Sequence, residues 1–203
     1  GLLSMLTGFA ASAASDADVK ACEQATGDSA IRTCSQIIVK LTNLAEHRAA
    51  ALYKRAGVLY DRRQYEGAIV DLDQVIALQP NHVPAYNRRG HAKSELNRHD
   101  QAIADFDKAL SIDPALARAY NGRGNAYRAK SEFERALADY AEAEKREPGY
   151  LWPVRNRGYT HERMGYFAEA EAHVAPAGRG VGLPEALEDV GQELVLDAGP
   201  GVR

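Results

Sequence analysis

Three prolines, Pro80, Pro114 and Pro148, fall 34 residues apart, and an alanine stands twelve residues before each: Ala68, Ala102 and Ala136. A fixed period of this size marks a stacked array, in which each copy buries its apolar face only against its neighbours. The core of such a chain must therefore lie along the seams between copies, and any site must be built from what differs between them.

Aligned on the prolines, the units run 49–82, 83–116 and 117–150, with a partial fourth at 151–177. Each reads as a helix A, a tight turn, a helix B and a turn that contains the proline. The turns between helices are expected at Arg62-Arg63-Gln64, Leu96-Asn97-Arg98, Lys130-Ser131 and Met164-Gly165. Helix A carries a small residue, Ala56, Gly90, Gly124 or Gly158, and helix B carries Ala68, Ala102, Ala136 or Ala170, so the two backbones of a unit can approach closely. Around these positions Leu72, Tyr86, Phe106, Tyr120, Tyr127 and Tyr140 recur at helical spacing, which is the pattern of a core stripe.

The succession of a small residue in mid helix A, an aromatic before helix B, then Ala, a large apolar residue, a second Ala or Val (Val75, Ala109, Ala143) and Pro resembles the tetratricopeptide repeat, over about 49–175. That resemblance implies an all-α, right-handed superhelical solenoid of antiparallel helix pairs with a concave groove. The YNxRG stretches, Tyr86 to Gly90 and Tyr120 to Gly124, look like bacterial members. One feature departs from the family pattern. Arg55, Arg89, Arg123 and Arg157 repeat on helix A, and sixteen residues later come Asp71, Asp105, Asp139 and finally His173. Arginine's planar fork suits a carboxylate, so these are read as pairs stitching helices together rather than as a ligand-facing ladder.

The ends differ from the repeats. Residues 1–15 are apolar and end in small residues, like the tail of a secretory signal peptide, with a disordered leader as the alternative. Residues 16–48 read as a degenerate helical hairpin in which Cys34 stands where Phe106 stands. Cys22 and Cys34, the two cysteines of the chain, are expected to form a disulfide beside such an export signal, or else to be two reduced buried thiols. The 178–203 tail opens with a Gly-rich linker, followed by a possible capping helix at 183–196 or a frayed tail.

Composition and motifs narrow the function. With 25 Lys plus Arg against 28 Asp plus Glu, the net charge of -3 lacks the basic footprint of a nucleic-acid binder. No stretch is long and apolar enough to span a bilayer. The six histidines share no metal spacing, no nucleophile motif occurs, and no cofactor or enzyme activity is expected. A surface remains. If helix A packs through Tyr120, Gly124 and Tyr127, its other side presents Arg118, Asn121, Asn125 and Arg128; unit two offers Asn87 and His91, unit four Trp152, Arg155 and Tyr159, and unit one Tyr53, Gly57 and Tyr60. Amides, arginines and aromatics together suit a protein or extended peptide, the arginines meeting acidic side chains or a C-terminal carboxylate. The expected function is a non-catalytic scaffold that binds a peptide in the groove. The alternative is an assembly or regulatory subunit of a cell-envelope complex acting by self-association or its convex face. The expected location is periplasmic or secreted, with cytoplasmic as the alternative.

Overall fold

The computed structural model describes residues 16–40 and 45–174, and among these every regular element is helical. The expected leader at 1–15 and the linker and capping helix of 178–203 lie outside the described residues. Two compact units divide the chain, Gly1–Met164 and Gly165–Arg203. Of the second, the described part is the end of one helix.

The first unit is a series of antiparallel helix pairs. A leading pair, α1 (16–24) and α2 (Gly27–Lys40), precedes α3 (Ala45–Asp61) with α4 (Tyr65–Leu78), α5 (Val83–Glu95) with α6 (His99–Ile112), and α7 (Ala117–Ala129) with α8 (Phe133–Arg146). The last helix is α9 (Leu151–Val174). From α2 to α8 consecutive helices touch, and α5 also touches both α3 and α7, so the first helices of these successive pairs share one face.

Both kinds of turn have a local cause. Each first helix ends on a residue in the left-handed region, Arg63 (φ 60°), Asn97 (φ 57°) and Ser131 (φ 63°). The following amide closes back onto the helix, with Gln64 N donating to Leu59 O at 2.9 Å, Arg98 N to Lys93 O at 2.9 Å and Glu132 N to Tyr127 O at 2.9 Å. This satisfies carbonyls that the helix end would otherwise leave open. Each second helix ends before the periodic proline, which forces its predecessor out of helical geometry: Gln79, Asp113 and Glu147 have φ of -136°, -126° and -134°.

The core runs along the stack in three successive clusters, one joining the leading pair to α3 and α4, one around Phe106 and one around Tyr140. The small residues act as expected. A Cβ on Gly90 would stand 2.8 Å from the Phe106 ring, and one on Gly124 would stand 2.7 Å from the Tyr140 ring. In the leading pair the same crossing is made by sulfur: Cys34 sits against Cys22, with Cα atoms 4.9 Å apart and their Sγ atoms at bonding distance.

The fourth unit departs from expectation. A turn was expected at Met164-Gly165, yet α9 runs unbroken from Leu151 to Val174. Extending a helix adds one hydrogen bond per residue, whereas a turn is repaid only if the returning helix finds apolar partners on both sides. Past Ala175 the sequence no longer follows the repeat pattern, so the local signal for a returning second helix is weaker than in the earlier units.

Candidate functional site

The shared face of α3, α5 and the start of α7 holds a cleft of about 600 Å³. It is lined by Tyr53, Tyr60 and Asp61 of α3, by Val83, Pro84, Asn87, Arg88 and His91 of α5, and by Asp113, Leu116 and Arg118 around the start of α7. A smaller cleft of about 450 Å³ continues it along α3, past Lys54 and Gly57, toward Glu23 of α1. Arg88 forms the wall between them. Its guanidinium lies 4.2 Å from the Tyr53 ring centre and its Nη1 donates to Tyr53 O at 3.3 Å. Gly57 makes the room, since a Cβ there would stand 3.0 Å from Arg88 Nη1.

The polar groups of the larger cleft are set for recognition. Asn87 Oδ1 is buried and accepts no hydrogen bond within the protein. His91 lies edge-on to Phe106, ring centres 5.0 Å apart, and burial, followed by the nearby Arg88 charge, lowers its pKa from 6.5 to about 4. It is therefore a neutral imidazole near pH 7. Burial, assisted by Glu95, Tyr65 and Asp61, pushes the Tyr60 phenol up to about 12, so its hydroxyl keeps its proton and can donate. Arg88 and Arg118 add cationic donors. Asp61 and Asp113 supply acceptors, although Asp113 Oδ1 already takes Ala115 N at 3.0 Å.

Of the residues expected from sequence to form a groove, Asn87, His91 and Arg118 come together here. Asn121, Asn125 and Arg128 do not. Asn121 is only 6% exposed; its Oδ1 accepts from Asn156 Nδ2 at 2.9 Å and its Nδ2 donates to Tyr150 at 3.4 Å, so it joins α7 to α9. Asn125 Oδ1 accepts from the Tyr140 hydroxyl at 2.9 Å, and Arg128 bears on the same hydroxyl. The reason is register: these side chains meet the next helix, which the sequence reading had left out of account. Trp152, Arg155 and Tyr159 form a separate exposed patch on α9. There the Arg155 guanidinium lies 5.5 Å from Trp152 and 5.4 Å from Tyr159, and donates to the Tyr159 hydroxyl at 3.2 and 3.0 Å.

Sequence reasoning missed Arg88, Asp61, Asp113, Pro84 and Leu116. A signal for Arg88 existed. Lys54 and Arg88 share one position of the repeat, where Gly122 and Asn156 stand in later units, so a cation occurs there only in the first two. Among the described residues no group of three or more His, Cys, Asp and Glu could hold a metal ion, and no helix is long and apolar enough to cross a membrane.

Comparison with known proteins fits this geometry. The tetratricopeptide repeat pattern matches residues 83–116 and, separately, 117–150. No curated protein matches the chain. Among solved structures, MamA 41-end from Desulfovibrio magneticus RS-1 is similar with a TM-score of 0.66 at 21% identity, covering 93% of this chain and 97% of that one. The first TPR of Spaghetti (RPAP3), bound to the HSP90 peptide SRMEEVD, gives 0.55 at 20% identity over 58% of this chain and 93% of that one. The second TPR domain of human RPAP3, in complex with the HSP70 peptide SGPTIEEVD, gives 0.55 at 20% over 58% and 98%. Residues 83–150 are thus two tetratricopeptide repeats, and the chain has the all-helical solenoid fold of tetratricopeptide-repeat structures.

Proposed function

We propose that this chain is a non-catalytic interaction module that holds an extended segment of a partner protein in the cleft between α3, α5 and the start of α7. The observation that carries the reading is Asn87, a residue lining that cleft whose Oδ1 is buried and accepts no hydrogen bond within the protein. An acceptor in this state costs roughly 1 to 3 kcal/mol, which is recovered when the Asn87 side chain turns its amide to a ligand in the cleft. An extended peptide supplies backbone partners for an amide at regular intervals, with its apolar side chains against Tyr53, Tyr60, Pro84 and Leu116. Arg88 and Arg118 suit a carboxylate on that segment, and the protonated Tyr60 hydroxyl suits a carbonyl. The peptide-bound relatives support this choice of ligand, since SRMEEVD and SGPTIEEVD are both acidic at their C-terminal ends.

The test is an array of immobilised nonapeptides with free C-termini, followed by fluorescence anisotropy on those that bind. Asn87→Ala should weaken binding about tenfold, equivalent to about 1.4 kcal/mol, and Arg118→Glu should weaken acidic peptides selectively. Binding unchanged in both variants would remove the groove assignment. Asn121→Ala serves as a contrast, because it should loosen the contact of α7 with α9 without touching the cleft.

The cysteine pair belongs to the same proposal. It supports an oxidising compartment, periplasmic or secreted, as the place where the module works.

A further inference from the structure

We infer that His82 is a pH-sensitive latch on the smaller cleft: as a neutral imidazole it packs against Tyr53 in the cleft wall, and on taking a second ring proton it swings out. The position is one that differs between units, since His82 stands at the register of Leu116 and Tyr150. It lies just before α5, where its Nδ1 accepts from Ala85 N at 3.0 Å, whereas Leu116 gives α7 no side-chain cap. That bond requires a bare Nδ1, so the ring is neutral with its proton on Nε2. The same ring lies against Tyr53, centres 5.0 Å apart, and the Tyr53 ring also carries the Arg88 guanidinium at 4.2 Å. His82, Tyr53 and Arg88 all line the smaller cleft, and Tyr53 and Arg88 line the larger one as well.

Protonation undoes both contacts. An Nδ1–H would face the Ala85 N–H, donor against donor, and an imidazolium would stand near the Arg88 cation on the same Tyr53 ring. The charged groups around this cleft are Glu23 of α1, Glu46, Lys54 and Asp61 of α3, and Arg88 of α5, while the end of α4 brings the uncharged Gln79. Of these charges Arg88 bears on the ring. Burial, opposed in part by a hydrogen bond to its own backbone and joined by Arg88, lowers the His82 pKa from 6.5. His82 is the partner that leaves, because Arg88 also donates to Tyr53 O at 3.3 Å. The first turn of α5 survives the departure, since Ala85 N also donates to His82 O at 3.0 Å. The stability contributed by the latch is full above 6.5, the unfolded value, and is lost as pH falls through the lower folded value. His91 in the larger cleft titrates only at about 4, so the two histidines respond in different ranges. For the peptide reading above, on which this consequence rests, an open latch removes support from the Tyr53 and Arg88 wall and weakens the hold on the segment.

The experiment follows the imidazole 15N and Tyr53 ring signals of the full chain by NMR between about pH 7.5 and about pH 5. His82→Asn keeps a capping acceptor that does not titrate, and His82→Leu copies the residue at Leu116; both identify the His82 signals by their loss. The expected result is an Nδ1 without a proton at neutral pH, a midpoint below 6.5 and a Tyr53 shift with the same midpoint that both variants lose. A protonated Nδ1 at neutral pH or a midpoint at or above 6.5 would overturn the inference. So would a Tyr53 shift that persists in the variants, as it would if His47, paired with Asp16 at 2.6 Å, were its source. These readings need no ligand, so they fail separately from the groove assignment. Anisotropy with an array nonapeptide that binds at about pH 7.5 should show affinity falling severalfold at about pH 5 in the unaltered chain and kept in His82→Asn. The same response in both would overturn the link to binding.

Discussion

A Cβ on Gly124 would stand 2.7 Å from the Tyr140 ring and 3.2 Å from the Ala136 carbonyl oxygen. Neither neighbour can yield easily, since Tyr140 is fully buried and the oxygen belongs to the facing helix. Gly124→Ala should therefore cost roughly 1 to 3 kcal/mol through overpacking, read as a lower urea midpoint. Gly158→Ala reverses the sign. With no described residue within 4 Å of a Cβ there, the substitution removes glycine's excess unfolded-state freedom and should stabilise by roughly 0.5 to 1 kcal/mol. Equal effects at the two positions would contradict the difference in packing between Gly124 and Gly158. The same scale shows what one sequence can hide. Asn87 and Asn121 share one position of the repeat, yet Asn87 lines the cleft with its Oδ1 accepting no hydrogen bond within the protein, while Asn121 is spent on Asn156 and Tyr150.

Between elements, the arginine ladder does more than the sequence implied. Arg55, Arg89 and Arg123 each grip the aspartate sixteen residues on with two hydrogen bonds, Arg123 reaching Asp139 at 2.8 and 2.7 Å. The third nitrogen reaches back to the preceding pair: Arg89 Nη1 to Asp73 at 2.6 Å, Arg123 Nη1 to Asp107 at 2.5 Å, and Arg55 Nη1 to Ser35 at 2.7 Å. Each guanidinium thus joins three helices, and the carboxylates around Arg123 hold its pKa above the ordinary value, the Asp139 hydrogen bond first among the causes. The ladder ends at Arg157. Its register offers His173 for the aspartate and Ala141 for the backward partner, so it turns to Glu144 at 3.1 Å and stays 41% exposed. Asp139→Asn strands part of a buried guanidinium pair and should cost roughly 3 kcal/mol. The surface pair Arg98 with Glu66 gives the contrast: Glu66→Gln should cost less than about 1 kcal/mol. Urea denaturation of both variants checks this, and comparable losses would show that the ladder is no stronger than a surface pair.

For the whole molecule, the leading pair is held together differently from the pairs that follow it. The leading helices cross through Cys22 and Cys34 where later pairs set a glycine against a ring. A bond closing so short a loop should contribute about 3 kcal/mol, mainly by restricting the unfolded chain. Mass spectrometry without reductant on protein taken directly from the cell envelope should find the two cysteines linked, and reduction should lower the melting temperature. Two alkylatable thiols in that material would remove both the bond and the proposed oxidising location.

The amino-acid sequence by itself determined the period, the turns at Arg63, Asn97 and Ser131, the small residues at the helix crossings and the arginine–aspartate pairs. All of these are set within one repeat by helical geometry and by proline, and repetition made them legible. Tertiary structure decided which polar face stays open. Tyr53, Asn87, Asn121 and Arg155 occupy the same repeat position, but Asn87 lines a cleft, Asn121 is buried under α9 and Arg155 lies in the open. The register of a residue fixes its direction on its own helix. Its exposure depends on which side chains the neighbouring helices bring, and the Met164-Gly165 position, helical where three predecessors turn, shows that the same repeat position can take different local structure in different units.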